Sequence, residues 1–447
     1  MAEEIEYDFD AIVVGGGMSG LVAAYELAKA EKSVLVMERG EYCGAKNMTG
    51  GRVYAHSLRK VFGDELEDAP FQRKIAHEKL SLMNHDSLFT IDTTSPDYSK
   101  DGQESYSILR APFDQWMAEK CEDMGVEIMC GMPVEDVLKG EDGFINGIAV
   151  GKEEDGTREE MHAKVVLLCD GANSLLIQKA GMTTKSAPSP SDMAVGAKEV
   201  IELDAETIED RFNLNPGEGA AWMFAGELTD GKPGGLALYT NEDSISICMV
   251  VPLAGLVQGN IPVYQELENF KERAEIKPLL KGGKTVEYSG HLVPEGGYNM
   301  MQGIKLVGNG VVVCGDAAGM CINSGYSVRG MDLAVTSGQL AGQAVAKALD
   351  ADDFSEAGLS SYKTNLDNSY ITTDLKNFQN FPAFMENDLD LLWNNQISDA
   401  VMNLFKKLYI VDGTGETPIK QKVKPVIKEL GGVWSLFKLA RKAMKAL

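Results

Sequence analysis

The stretch Asp10-Ala11-Ile12-Val13-Val14-Gly15-Gly16-Gly17-Met18-Ser19-Gly20 decides the fold. An apolar run ends in glycines spaced Gly15-x-Gly17-x-x-Gly20, and small and apolar residues follow. That order predicts a strand, a tight turn and a helix whose first amides face a pyrophosphate. The helix is expected over roughly Gly20 to Ala30, with Leu21, Ala24, Leu27 and Ala28 as its sheet-facing stripe. Ser33 to Met37 reads as the next strand and ends at Glu38, eighteen residues past Gly20, where a carboxylate would meet a ribose hydroxyl. A carboxylate there repels a 2′-phosphate and so disfavours NADP. No second such glycine motif follows a strand elsewhere, so no separate NAD(P)H domain is visible.

Almost three hundred residues downstream, Val311-Val312-Val313-Cys314-Gly315-Asp316-Ala317-Ala318-Gly319 repeats the logic of a strand ending at a ligand. A small-residue helix follows from Gly330, Met331 and Asp332. Asp316 is placed to bond a ribityl chain or phosphates, and the amides of Met331 and Asp332 to face an electron-rich pyrimidine edge. A chain that returns to grip the same cofactor implies a long, two-ended one, and FAD is the expectation. Between the two grips, Arg110 precedes a helical stretch and could reach pyrophosphate or pair with a surface carboxylate. Val134 could offer backbone bonds to adenine. Asp170 and Gly171 end the apolar run Ala163 to Cys169 and either border the ligand or cap the next helix.

Composition narrows the class. The chain has 447 residues, 44% hydrophobic and 24% charged, which fits a globular protein of two or three domains. A net charge of −25 argues against nucleic-acid binding. The acidic start runs at once into the first strand, so no secretion signal is expected and a cytoplasmic location is. Seven cysteines form no Cys-x-x-Cys pair, which argues against a metal or iron–sulfur site. Cys314 and Cys321 are expected to pack rather than to form a redox pair. His56 and His291 lie near the motifs without spaced partners and receive no role, nor is any acid–base catalytic set visible. Arg329 reads either as a charge near the ligand or as a solvated loop residue.

These stretches together resemble the electron-transfer-flavoprotein dehydrogenase (ETF-quinone oxidoreductase) family, in its shorter FixC-type form. The likeness is carried by Gly15 to Gly20 with Glu38-Arg39-Gly40, by Gly44-Ala45-Lys46-Asn47-Met48-Thr49-Gly50-Gly51, by Leu109 to Trp116, and by Glu295-Gly296-Gly297-Tyr298 with Gly315 to Gly319. It covers roughly residues 8–350. The resemblance implies an α/β, Rossmann-like FAD-binding domain (glutathione-reductase-type, PHBH-like), a mixed β-sheet substrate or partner domain and a helical C-terminus. It also implies a relay in which reduced two-subunit electron-transfer flavoprotein donates electrons to FAD. A quinone or a separate ferredoxin-like iron–sulfur subunit then accepts them. Residues 322–447 contain no cysteine, so the cluster of the longer family members is not expected in this chain. A geranylgeranyl or prenyl reductase, or a flavin scaffold without turnover, are the alternatives.

The expected layout places the FAD domain at 1–185, interrupted by a loop and small-sheet region at 44–107. A β-rich domain follows at 186–300, the FAD domain returns at 301–350, and 351–447 are helical. The tail from Pro418 to Leu447 holds eight Lys/Arg against one Glu, leaving the remainder of the chain at −32. Its mix of bulky apolar and basic residues fits three readings: a helix on an anionic membrane surface, a dock for an acidic partner, or a helix packed on its own domain.

Overall fold

Short runs of Val, Ile and Leu without polar alternation become strands buried on both faces. The computed structural model describes residues 6–48, 50–151, 158–183, 185, 188–258, 261–413, 415 and 417–447. Thr49 of the resembling stretches and the first five residues of the acidic start lie outside them. Among the described residues one sheet runs in the order Val307–Gly308, Val311–Val313, Glu159–Leu168, Phe9–Val14, Val34–Glu38, Glu127–Cys130. From Val311–Val313 to Glu127–Cys130 neighbouring strands are parallel. The hairpin of Val134–Lys139 and Ile145–Val150 pairs with the start of Glu159–Leu168. The chain order reverses beside Phe9–Val14, so the carboxyl ends of the central strands open a crevice.

The first helix is Met18–Lys29. It begins two residues before the expected start because Gly17, in extended conformation, is its N-cap, while Gly20 lies inside the first turn. This helix is buried along nearly its whole length, between the parallel sheet and the helix Met331–Asp350. The two helices meet backbone to backbone: a Cβ on Gly338 would lie 2.2 Å from the Ser19 carbonyl oxygen. Leu21, Val22 and Leu27 are fully buried, each contributing about 1.5–3 kcal/mol relative to exposure.

A second sheet runs Lys284–Pro294, Met193–Glu202, Ser244–Pro252, Gly235–Thr240, Glu218–Gly226, Phe71–Met83, Ser105–Ile108, Gly51–Tyr54. The inserted region and the 186–300 segment, read separately from sequence, thus share one sheet. Strand alternation divides its residues. Ala197 and Ile201 enter an apolar core with Leu267 and Phe270 of the helix Val263–Lys271. Gly196 and Lys198 point to the other side, where Lys198 lines a cavity. The sheet is therefore a roof over the crevice of the parallel sheet.

The C-terminal part is helical. Gly432–Ala446 lies against Phe381–Asp388, with Leu439, Ala443 and Ala446 beside Phe381, Phe384 and Trp393. Its other face exposes Val433, Trp434, Phe437 and Met444, each more than half accessible. The tail is packed on its own domain and still presents an apolar surface to solvent.

Candidate cofactor and acceptor site

Between the parallel sheet, the roof and the C-terminal helices lies a cavity of about 860 Å³. Its near end is built by the glycine turn. Gly15 sits at φ +107°, and a Cβ there would lie 2.4 Å from the Cys169 carbonyl oxygen. A Cβ on Gly17 would meet only the Asn47 amide at 3.6 Å and the Arg110 guanidinium at 3.8 Å. The protein therefore leaves room at Gly17, flanked by two donors. Both are held by one fully buried carboxylate: Arg110 donates through Nε and Nη2 to Asp114 at 2.9 and 2.7 Å, and the Asn47 amide donates to the same group. Arg110 is thus neither a surface pair nor free; it is clamped by Asp114 while lining the cavity.

Glu38 accepts the Gly16 N–H at 2.8 Å and the Gly40 N–H at 2.6 Å, which fixes its carboxylate at the end of its strand. Asp170 lines the cavity with one buried carboxylate oxygen lacking a partner among the described residues. Burial raises its pKa to about 6 against Ser174 and Arg39. Burial likewise pushes Asp316 up to about 6, with Arg110 opposing.

Of the sixteen residues predicted to hold the cofactor, thirteen line this cavity: Gly15, Gly17, Met18, Ser19, Glu38, Arg39, Arg110, Val134, Asp170, Gly171, Asp316, Gly330 and Met331. The other three are not in its wall. A Cβ on Gly20 would fall 2.0 Å from the Gly15 carbonyl oxygen, so this glycine serves the turn from behind. Gly315 is packed against Ser19 and donates its N–H to Ser337. The Asp332 carboxylate is held by Arg329 and His56, and Tyr370 donates to its backbone carbonyl at 2.9 Å, while the expectation for this residue concerns its backbone amide at the start of the helix. Burial opposes ionisation of Asp332, but the bonds from His56 and Arg329 outweigh it and keep its pKa low. Arg329 is therefore a structural partner, also paired with Asp374 at 3.0 Å, rather than a solvated loop residue. Cys314 is buried, whereas Cys321 is buried and lines the cavity.

The roof supplies residues that sequence reasoning missed. Lys198 is buried with its ammonium donating to the Gly50 carbonyl, and burial, with Arg110, pulls its pKa down. His291 borders the cavity and is held below its ordinary pKa by burial and by Arg110, Arg39 and Lys198. Tyr239 and Cys248 face the same space. A lysine after the apolar start of the strand Met193–Glu202 was the available signal.

The site fits FAD on its donor chemistry. Arg110 and Asn47 flank the open space at Gly17, Glu38 lines the cavity at the end of its strand, and Asp170 keeps a buried oxygen without a partner among the described residues. Fold and site define an FAD-dependent oxidoreductase. Residues 10–193 match the family model described as FAD dependent oxidoreductase. Two relatives span nearly the whole chain. Protein FixC of Salmonella typhimurium is 43% identical over 431 residues, covering 96% of each chain. The "Probable electron transfer flavoprotein-quinone oxidoreductase YdiS" of Escherichia coli is 41% identical over 423 residues, covering 95% of each. The chain belongs to this FixC-type electron-transfer-flavoprotein dehydrogenase family. Among solved structures, a geranylgeranyl bacteriochlorophyll reductase-like protein from Thermoplasma acidophilum shares the fold at TM-score 0.70 and 19% identity, covering 95% of this chain and 98% of that one.

The room at Gly17 gives a clean test. Gly17→Val is expected to fold, with near-parental circular dichroism and melting, yet to purify without the visible flavin spectrum. Full flavin occupancy in that variant would contradict the site assignment.

Proposed function

We propose that the protein takes electrons from reduced two-subunit electron-transfer flavoprotein onto FAD and delivers them to a quinone-class acceptor in the far arm of the same cavity. FAD supplies the redox chemistry; the chain holds it and shapes the route to and from it. The observation that carries this reading is the continuity of the cavity. Beyond Asp316 and Gly330 its lining turns apolar, through Phe224, Phe381, Phe384, Leu392, Trp393 and Leu439, as far as the C-terminal helix. An apolar arm leading away from a cationic one suits a flat, apolar, two-electron acceptor. The printed name of YdiS, a relative of comparable length, supports the same donor and acceptor classes. A separate ferredoxin-like subunit would need no such arm.

The exposed face of Gly432–Ala446 deepens the reading. Trp434 and Phe437 stack with centroids 5.5 Å apart and stand in solvent beside Lys438, Arg441 and Lys445. Among the described residues no helix is long and apolar enough to cross a membrane. The face matches instead a helix resting in the headgroup region of an anionic bilayer, which would bring the mouth of the arm to the lipid phase where an apolar quinone resides.

Two measurements check these statements. In anaerobic rapid mixing, reduced electron-transfer flavoprotein should bleach the bound flavin, NADPH should not, and a short-chain quinone should restore the colour. Direct bleaching by NADPH would favour prenyl reductase or hydroxylase chemistry, and reoxidation by a ferredoxin-like protein but not by quinone would overturn the acceptor assignment. In vesicle flotation, the protein should rise with anionic vesicles, and Trp434→Asp with Phe437→Asp should lower the bound fraction at least about tenfold. Failure of the parent protein to float would sink the membrane reading.

A further inference from the structure

One buried carboxyl in the cavity is unused by cofactor binding. Glu295 follows the strand Lys284–Pro294, is 4% exposed and lines the cavity where its two halves meet. Cys321 lies within electrostatic reach of both Glu295 and Asp316, and Met385 lies beside Asn323, which donates to Glu295; all five line the cavity. The Asn323 amide links the two sides, donating to Glu295 Oε1 at 3.3 Å and lying 3.9 Å from Met385 Sδ. Other buried carboxyls have occupations. Asp114 clamps Arg110, Asp332 is held by Arg329 and His56, and Glu266 meets Lys232 at 3.3 Å.

We propose that Glu295 is the proton donor to the acceptor bound in the apolar arm, an inference that rests on the quinone-class assignment above. The balance is simple. Reduction of a quinone to its hydroquinone takes two electrons and two protons. Reduced FAD provides both electrons and one proton. Glu295 breaks its O–H bond and gives the second proton to a quinone carbonyl oxygen, which becomes a phenolic hydroxyl. The resulting carboxylate takes a proton back from water at the mouth beside Tyr326, which lines the cavity and is 60% exposed.

The surroundings suit that cycle. Burial pushes the Glu295 carboxyl up to about 7, opposed by the Asn323 amide. The titratable groups around it are Cys248 of the roof and Cys321 of the loop, with Asp316 beyond Cys321. Both thiols are raised by burial, so near neutral pH they stay uncharged, and Glu295 titrates near pH 7, where a general acid is most effective.

Glu295→Gln tests the role, with Glu295→Asp as the conservative control, both in the full-length FAD-loaded protein. In the parent, quinone reduction should fall as pH rises through about 7. In Glu295→Gln it should be roughly a hundredfold slower and flat with pH, and Glu295→Asp should recover part of the rate and the slope. Infrared difference spectra taken on either side of neutral pH give a second readout. The parent should show loss of a carboxylic C=O band that is missing from Glu295→Gln. A group whose folded pKa is raised contributes stability below its unfolded pKa and loses it as pH rises through the folded value. The Gln variant should therefore melt no lower than the parent above pH 7. A Gln variant with the parental rate and pH profile, or a parent without the band, overturns the role of Glu295. A parent whose reduced FAD is not reoxidised by quinone overturns the acceptor assignment, and this role falls with it.

Discussion

Backbone touches backbone at the start of the first helix, and the rest of the molecule is arranged around that contact. The Cys169 carbonyl closes on Gly15, and the Ser19 carbonyl on Gly338, at distances that admit no side chain. Three segments, near residues 15–20, 169–170 and 315–338, are thereby held at one point by glycines rather than by long side chains. Interiors this dense tolerate little added volume. The contact locks the helix Met331–Asp350 to the dinucleotide turn, and so sets Asp316, Gly330 and Met331 against the same space as Gly17 and Arg110. Both segments therefore border one cavity.

From there the cavity changes character along its length. The near end collects cationic and amide donors, Arg110 and Asn47 on a shared buried carboxylate and Lys198 beneath the roof. The far end collects Phe381, Phe384 and Trp393 and is lined by Leu439 and Ala443 of the C-terminal helix. Carboxyls acquire different work from their surroundings: Asp114 clamps Arg110, whereas burial, opposed only by the Asn323 amide, raises the pKa of Glu295 to about 7. One chain thus provides an anionic-ligand end and an apolar end within reach of each other, as an electron relay requires.

Much of this was legible in the sequence where the signal is local. The spacing of Gly15, Gly17 and Gly20, the strand ending at Glu38, and the Gly315-Asp316 return each declare themselves within a dozen residues. What stayed hidden depends on register and tertiary facing. Lys198 and Ala197 are neighbours, yet only the pairing of Met193–Glu202 in its sheet decides that the lysine faces the cavity. His291 carries no spacing signal, and Glu295, although it opens the stretch Glu295-Gly296-Gly297-Tyr298, shows nothing of its setting, because their partners come from other elements. Gly20, Gly315 and Asp332 are not in the cavity wall, since a motif marks where a turn or helix starts and not which of its groups faces outward. The tail was ambiguous because it is apolar on two faces, Leu439 and Ala443 inward, Trp434 and Phe437 outward.

A crystal structure of the FAD-loaded protein with a short-chain quinone would locate both ligands in the cavity. The pyrophosphate should lie between Gly17 and Arg110, the flavin ring beneath Lys198 and His291, and the quinone ring in the apolar arm with an oxygen toward Glu295. A quinone bound outside that arm, or a flavin whose ring does not reach the junction at Asp316 and Gly330, would contradict that arrangement.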